Sequence, residues 1–100
     1  MKIVLCCNAG MSTSMLVKKM RAAAEAKGIE AEIDAYPISE VEEKAANADA
    51  VLLGPQVRYE LDHVKKLLPG KPVEAINPQD YGMVRGDKVL EHAIAIADAK

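Results

Sequence analysis

The sequence predicts an α/β fold, a four-stranded parallel sheet in the order 2-1-3-4 with helices on both faces. Short apolar runs alternate with stretches of helical periodicity along the whole chain, giving β-α-β-α-β-α-β-α. Right-handed crossovers between successive strands make such a sheet mostly parallel and cover both of its faces. Two runs are continuously apolar once past the opening Lys2, as buried central strands are, whereas the other two carry charges between apolar neighbours, as edge strands do. At 100 residues the chain is expected to form one domain spanning 1–100.

The elements follow in order. Lys2–Cys6 is an apolar run ended by the turn signal Asn8-Ala9-Gly10, hence a buried strand. From Ser12 to Lys27 the pattern is helical, with Met15, Leu16, Met20 and Ala23 or Ala24 on one face and Gly28 as the C-terminal cap. Glu30–Tyr36 alternates, placing Ala31, Ile33 and Ala35 on one side and Glu30, Glu32 and Asp34 on the other. Ser39 and Glu42 have capping-box spacing ahead of a stripe of Ile38, Val41, Ala45 and Ala48.

Ala50–Leu53 is the second fully apolar strand and stops at Gly54-Pro55. Val57, Leu61, Val64 and Leu68 form the next helical stripe, ended by Pro69-Gly70. Pro72–Ile76 is an edge strand, with Glu74 between apolar neighbours. Asn77–Gly86 reads as a loop, and Asp87 as the cap of a last helix carrying Val89, Leu90, Ile94 and Ala97. The order 2-1-3-4 puts a topological switch point between the first and third strands, the usual ligand position in open α/β sheets.

Composition narrows the function. Half the residues are apolar and 28% are charged, yet Phe and Trp are absent. Ala, Val, Leu, Ile and Met therefore fill the core, which favours tight helix-on-sheet packing over a roomy ligand cavity. A net charge of −2 with no basic stripe argues against nucleic-acid binding. The apolar runs are far shorter than the roughly 20 residues that cross a bilayer. MKIVLCC is too short for a signal-peptide core, so a cytoplasmic location is expected, with no direct membrane insertion. Cys6 and Cys7 are adjacent, with Cα atoms about 3.8 Å apart, too close for an ordinary disulfide. With only two histidines besides, no metal site and no cofactor are expected. An exposed thiol here reads as reactive.

The segment Cys7-Asn8-Ala9-Gly10-Met11-Ser12-Thr13-Ser14 joins a buried strand to a helix N-terminus. Amides of a first helical turn lack intrahelical acceptors and, with the helix dipole, favour an oxyanion. The same field favours thiolate over thiol at Cys7. The hydroxyls of Ser12, Thr13 and Ser14 add donors, so a phosphoryl group on the Cys7 sulfur fits the cradle. The loop lacks the second Gly and the Lys of a Walker motif and the three glycines of a dinucleotide fingerprint. A cysteine phosphatase of the C-x5-R type would place Arg where Thr13 stands. Without that Arg, a phosphate would be kept for transfer rather than hydrolysed.

With C-N-A-G-M-S-T-S at 7–14, V-L-L-G-P-Q at 51–56, K-P-V-E-A-I at 71–76 and the Tyr81-Gly82 pair, the whole chain resembles one particular family. It is the IIB component of the lactose/cellobiose/N,N′-diacetylchitobiose class of the bacterial phosphoenolpyruvate-dependent sugar phosphotransferase system. The resemblance implies a phosphocysteine relay. A IIA protein carrying phosphohistidine would donate to Cys7, and phosphoryl would pass to a β-linked disaccharide held by the membrane IIC permease. It also implies that Asn8, Ala9, Gly10, Met11, Ser12, Thr13 and Ser14 form the phosphate-binding loop. The chain would then associate with the inner face of the cell membrane through IIC.

The remaining candidates are weighed against plainer roles. Cys6 alternates away from Cys7 and is expected to pack in the core. Gln56, after the third strand, and Tyr81, after the fourth, are candidates for the rim of the site, against solvated or loop-packing roles. His63 and His92 are expected at the surface or paired. Lys18, Lys19 and Arg21 form a basic edge able to steer acidic partners, and Met11 is expected at the centre of an apolar docking patch. A monomer suits a shuttling carrier. Two other readings stand beside the relay: a small cysteine-dependent phosphatase and a non-catalytic anion-binding module.

Overall fold

The computed structural model describes residues 1–7 and 11–98. The strands are β1 (Lys2–Cys7), β2 (Glu32–Pro37), β3 (Ala50–Leu53) and β4 (Val73–Ala75). All neighbouring pairs are parallel and the order is β2-β1-β3-β4, as the sequence predicts. The helices are α1 (Met11–Ala26), α2 (Val41–Lys44), α3 (Leu61–Leu67), α4 (Pro78–Gly82) and α5 (Gly86–Asp98). A 3₁₀ turn, Ile38–Glu40, leads into α2, and a longer 3₁₀ stretch, Pro55–Glu60, leads into α3.

Strand alternation divides the core into two layers. Ile3 and Leu5 of β1 with Ala50 and Leu52 of β3 pack under α1 and α5, against Leu16, Met20, Val89 and Leu90. Val4 and Cys6 with Val51 and Leu53 face the other way, against Val41, Ala45, Val57, Val64 and Leu68. Every residue of β3 is fully buried, which is why its sequence is uninterruptedly apolar. At the edges Glu32 of β2 and Glu74 of β4 are exposed, as their charge requires.

Local signals hold in most places. Gly28 adopts φ +68°, and its N–H bonds the Glu25 carbonyl at 3.1 Å while the Ile29 N–H bonds the Ala24 carbonyl at 2.8 Å. That is a left-handed C-terminal cap, which glycine adopts without a Cβ penalty. Three expectations change. Ser39 lies inside the 3₁₀ turn, and neither helical start nearby has a side-chain cap, so the capping box does not form. Asp87 is the second residue of α5 rather than its cap, because the helix begins at Gly86. The segment 77–86 is not all loop: Asn77 caps α4, its Oδ1 accepting from Gln79 N at 2.8 Å and Asp80 N at 3.3 Å, and Pro78 stands in the first turn.

Candidate functional site

The switch point lies where the C-terminal ends of β1 and β3 adjoin. Pairing of β1 with β2 continues through Cys7, opposite Pro37, one residue beyond the expected end of the strand. Cys7 is consequently buried at 2% exposure, whereas an exposed thiol was expected. The extra ladder position keeps it between neighbouring strands instead of releasing it into the turn. Both cysteines are free thiols.

The two differ in surroundings. Cys6 is fully buried in the layer under α2 and α3. Desolvation, and secondarily the neighbouring Cys7, push its thiol pKa up to about 12 from 9.0. By alternation the Cys7 side chain belongs to the opposite face, the side of Ile3 and Leu5. The raised pKa of Cys6 keeps its thiol neutral at physiological pH and so disfavours attack from it. The core role expected for Cys6 is what the structure shows.

Asn8, Ala9 and Gly10 lie outside the described residues, as do the side chains of Met11, Ser12 and Thr13, so the expected phosphate-binding loop, Ser14 apart, and the expected Met11 patch centre fall outside them. The helical backbone of α1 does start at Met11, four positions after Cys7, and Ser14 is exposed in its first turn.

Gly54 ties the predicted rim residues to the cysteines. Its N–H donates to the Cys6 carbonyl at 2.8 Å, extending the β1–β3 ladder. A Cβ placed on Gly54 would stand 3.1 Å from Gln56 Oε1, 3.5 Å from the Cys6 carbonyl oxygen and 3.6 Å from Tyr81 Cε2. Gln56 is exposed, and Tyr81 is half-buried against the α1/α5 layer. Gln56 and Tyr81, 25 positions apart in sequence, thus converge beside the Cys6–Cys7 peptide. Gly54, Pro55 and Gln56 were expected to face the switch point after the third strand, and Gly54 stands there, beside the end of β1.

Other candidates lie elsewhere. His63 pairs with Glu60 at 3.7 Å and His92 with Glu74 at 3.5 Å, as paired histidines were expected to. Arg21 is not free for steering: its Nε donates to the Ile33 carbonyl at 2.9 Å and its Nη2 meets Asp34 at 2.7 Å. Among the described residues no cluster of three or more His, Cys, Asp or Glu could hold a metal ion. Among them, too, no helix is long and apolar enough to cross a membrane. An open depression of about 750 Å³, bordered by Lys2, Arg21, Glu25, Glu32 and Asp49, lies at the N-terminal end of the strands, away from Cys7. The sequence-based expectation of tight packing had not provided for it. Met15, expected on the apolar face of α1 with Leu16 and Met20, is instead 54% exposed, and Tyr59 after β3 and Met83 after α4 are exposed apolar side chains as well.

An open parallel sheet in the order β2-β1-β3-β4, with a cysteine ending its central strand at the switch point and a helix starting four positions later, places the chain in the open α/β class. The family described as PTS system, Lactose/Cellobiose specific IIB subunit, matches residues 2–92. The galactose-specific EIIB component of Lactococcus lactis subsp. cremoris (strain MG1363) is 45% identical over 98 residues, covering 91% of each chain. The oligo-beta-mannoside-specific EIIB component of Bacillus subtilis (strain 168) is 41% identical over 97 residues, 95% of this chain and 94% of its own. The solution structure of a cellobiose-specific IIB protein from Borrelia burgdorferi superposes with a TM-score of 0.85 at 41% identity, over 100% of this chain and 94% of that one. A lactose-specific IIB domain from Streptococcus pneumoniae, 16% identical, shares the fold with a TM-score of 0.80 over 95% of each chain. The chain belongs to the lactose/cellobiose-specific IIB family of the sugar phosphotransferase system.

Proposed function

We propose that this IIB protein is a phosphocysteine carrier whose reacting atom is the Cys7 sulfur. The carrying observation is the contrast within the cysteine pair. Cys6 is fully buried with its thiol pushed up to about 12, while Cys7 ends the central strand at the switch point, ahead of α1. The Cys7 thiolate attacks phosphorus on a phosphohistidine of a IIA partner whose other ring nitrogen carries a proton; the S–P bond forms as the N–P bond breaks, and the imidazole leaves neutral, keeping that proton. A hydroxyl of a sugar held by IIC then attacks the same phosphorus. The S–P bond breaks, the thiolate returns, and the hydroxyl proton passes to a base outside this chain.

Catalysis of this kind asks for positioning and neutralisation of charge. The segment Asn8–Ser14 supplies these in our reading, through backbone amides and hydroxyls around the phosphoryl group. A β-linked disaccharide is the acceptor class that the cellobiose-specific and oligo-beta-mannoside-specific relatives suggest. Met15, Tyr59 and Met83, on elements that follow the C-terminal ends of β1, β3 and β4, offer apolar surface for docking IIA and IIC in turn. The protein acts in the cytoplasm, against the membrane component, as a monomeric single domain.

Intact-mass measurement tests the assignment after incubation with phosphoenolpyruvate, the general relay proteins and IIA. Wild type and Cys6→Ala are expected to gain one phosphate, and Cys7→Ser none. Equal labelling of Cys7→Ser overturns the assignment. Rapid turnover of an aryl phosphate without partners would instead mark a phosphatase.

A further inference from the structure

Three polar or aromatic groups meet at one place beside Cys7. The Gln56 carboxamide oxygen, the Tyr81 ring edge and the Cys6 carbonyl all lie within 3.6 Å of the position a Cβ would occupy on Gly54. The Tyr81 ring also packs on the sheet face toward which alternation turns the Cys7 side chain.

The segment carrying the ring is held at both ends. Asn77 caps α4, and Asp80 pairs with Arg85 at 3.5 Å. The Arg85 N–H closes the last turn on the Asp80 carbonyl at 2.8 Å. Val84 completes that closure at φ +53°, a left-handed conformation costly for a β-branched side chain. A five-residue helix secured at this expense fixes where Tyr81 stands.

We propose that the Tyr81 ring, together with the Gln56 carboxamide that also approaches Gly54, forms a wall that screens the phosphoryl group on Cys7 from water. The proposal rests on Cys7 being the phosphorylated residue. Hydrolysis and transfer break the same S–P bond. In hydrolysis a water oxygen attacks phosphorus, thiolate leaves, and the water proton goes to solvent, releasing inorganic phosphate. In transfer the attacking oxygen is the hydroxyl of a docked sugar. A carrier therefore depends on keeping solvent off phosphorus while leaving one approach open to its partners. A ring does this by occupying volume, so Tyr81 is a positioning and screening residue rather than a proton donor.

The test follows decay of the phosphorylated protein by intact mass, after loading through IIA and removal of the donor proteins. Tyr81→Ala and Tyr81→Leu are expected to shorten the phosphocysteine half-life on the order of threefold or more, because water regains access. Tyr81→Phe keeps the ring and is expected to decay as wild type does. The leucine variant preserves apolar packing on the α1/α5 layer and carries the test if the alanine variant does not fold. Thermal midpoint and initial loading rate are followed in parallel; a merely structural defect lowers both, whereas loss of the screen changes decay alone. Wild-type decay in Tyr81→Leu overturns the proposal, as does decay in Tyr81→Phe as fast as in Tyr81→Leu. A wild type that takes up no phosphate, or a Cys7→Ser variant that does, refutes the Cys7 assignment itself. Normal Cys7 labelling with a half-life indifferent to Tyr81 removes only the screen.

Discussion

Adjacent cysteines on a central strand face different layers because a strand sends successive side chains to opposite faces. The raised pKa of Cys6 has a thermodynamic consequence. Its unfolded thiol titrates near the ordinary 9.0, the folded one near 12, so between these values the native state binds more protons than the unfolded chain. Stability therefore falls as pH rises through that window, by about 1.4 kcal/mol per unit for this one group. Urea midpoints measured from pH 7 to 10.5 should decline more steeply for wild type than for Cys6→Ala, whose comparison cancels the lysines and tyrosines common to both. Parallel curves would show that Cys6 ionises freely in the fold. The alternation separating the pair was legible in the sequence. The burial of Cys7 was not, since it depends on pairing with Pro37 across the sheet, and nothing local to residues 1–7 encodes that partner.

Elements were legible where apolar periodicity and tertiary burial agree. β1, β3, α1 and the stripe from Val57 to Leu68 emerged near their observed places because each buries most of the face its pattern marks, Met15 on α1 being the exception. Helical starts were less legible. Ser39–Glu42 has capping-box spacing, yet the chain tightens into a 3₁₀ turn there, while the Asn77-Pro78 start of α4 passed as loop because α4 has only five residues. Gly86 shows what local patterns omit. It is buried where α5 begins against α1, and a Cβ there would come within 2.6 Å of the Met20 amide nitrogen and closer still to the Lys19 side chain. The obstacle includes helix backbone, which cannot step aside as a flexible side chain would. Gly86→Ala is accordingly expected to cost about 1–3 kcal/mol by overpacking, despite alanine's better helix propensity. A urea midpoint equal to or above that of wild type would show that α1 and α5 can separate without loss.

At the scale of the whole molecule the two ends of the sheet carry different residues. The C-terminal ends carry Cys7, Gly54 and the segments bearing Gln56 and Tyr81. The N-terminal ends are tied by Asp49, whose carboxylate accepts from Lys2 N at 2.8 Å while its own N–H donates to the Lys2 carbonyl at 2.7 Å. This reciprocal pair anchors the entry to β3 against the entry to β1, so it sets the register in which both strands reach the switch point. The open depression borders the same end, with cationic and anionic side chains intermixed and no thiol among its lining residues. If the N-terminal end only holds the sheet, Asp49→Ala should lower stability by about 1.5–3 kcal/mol, the range for a hydrogen bond to a charged acceptor. It should leave phosphate uptake at Cys7 unchanged at temperatures well below unfolding. The two measurements are a denaturation curve and the intact-mass loading assay on the same preparation. Loss of loading at full stability would mean that the depression, or the register fixed beside it, acts on the thiol at the far end of β1. Loss of stability with loading intact would assign the N-terminal end to holding the sheet and the C-terminal end to handling phosphate.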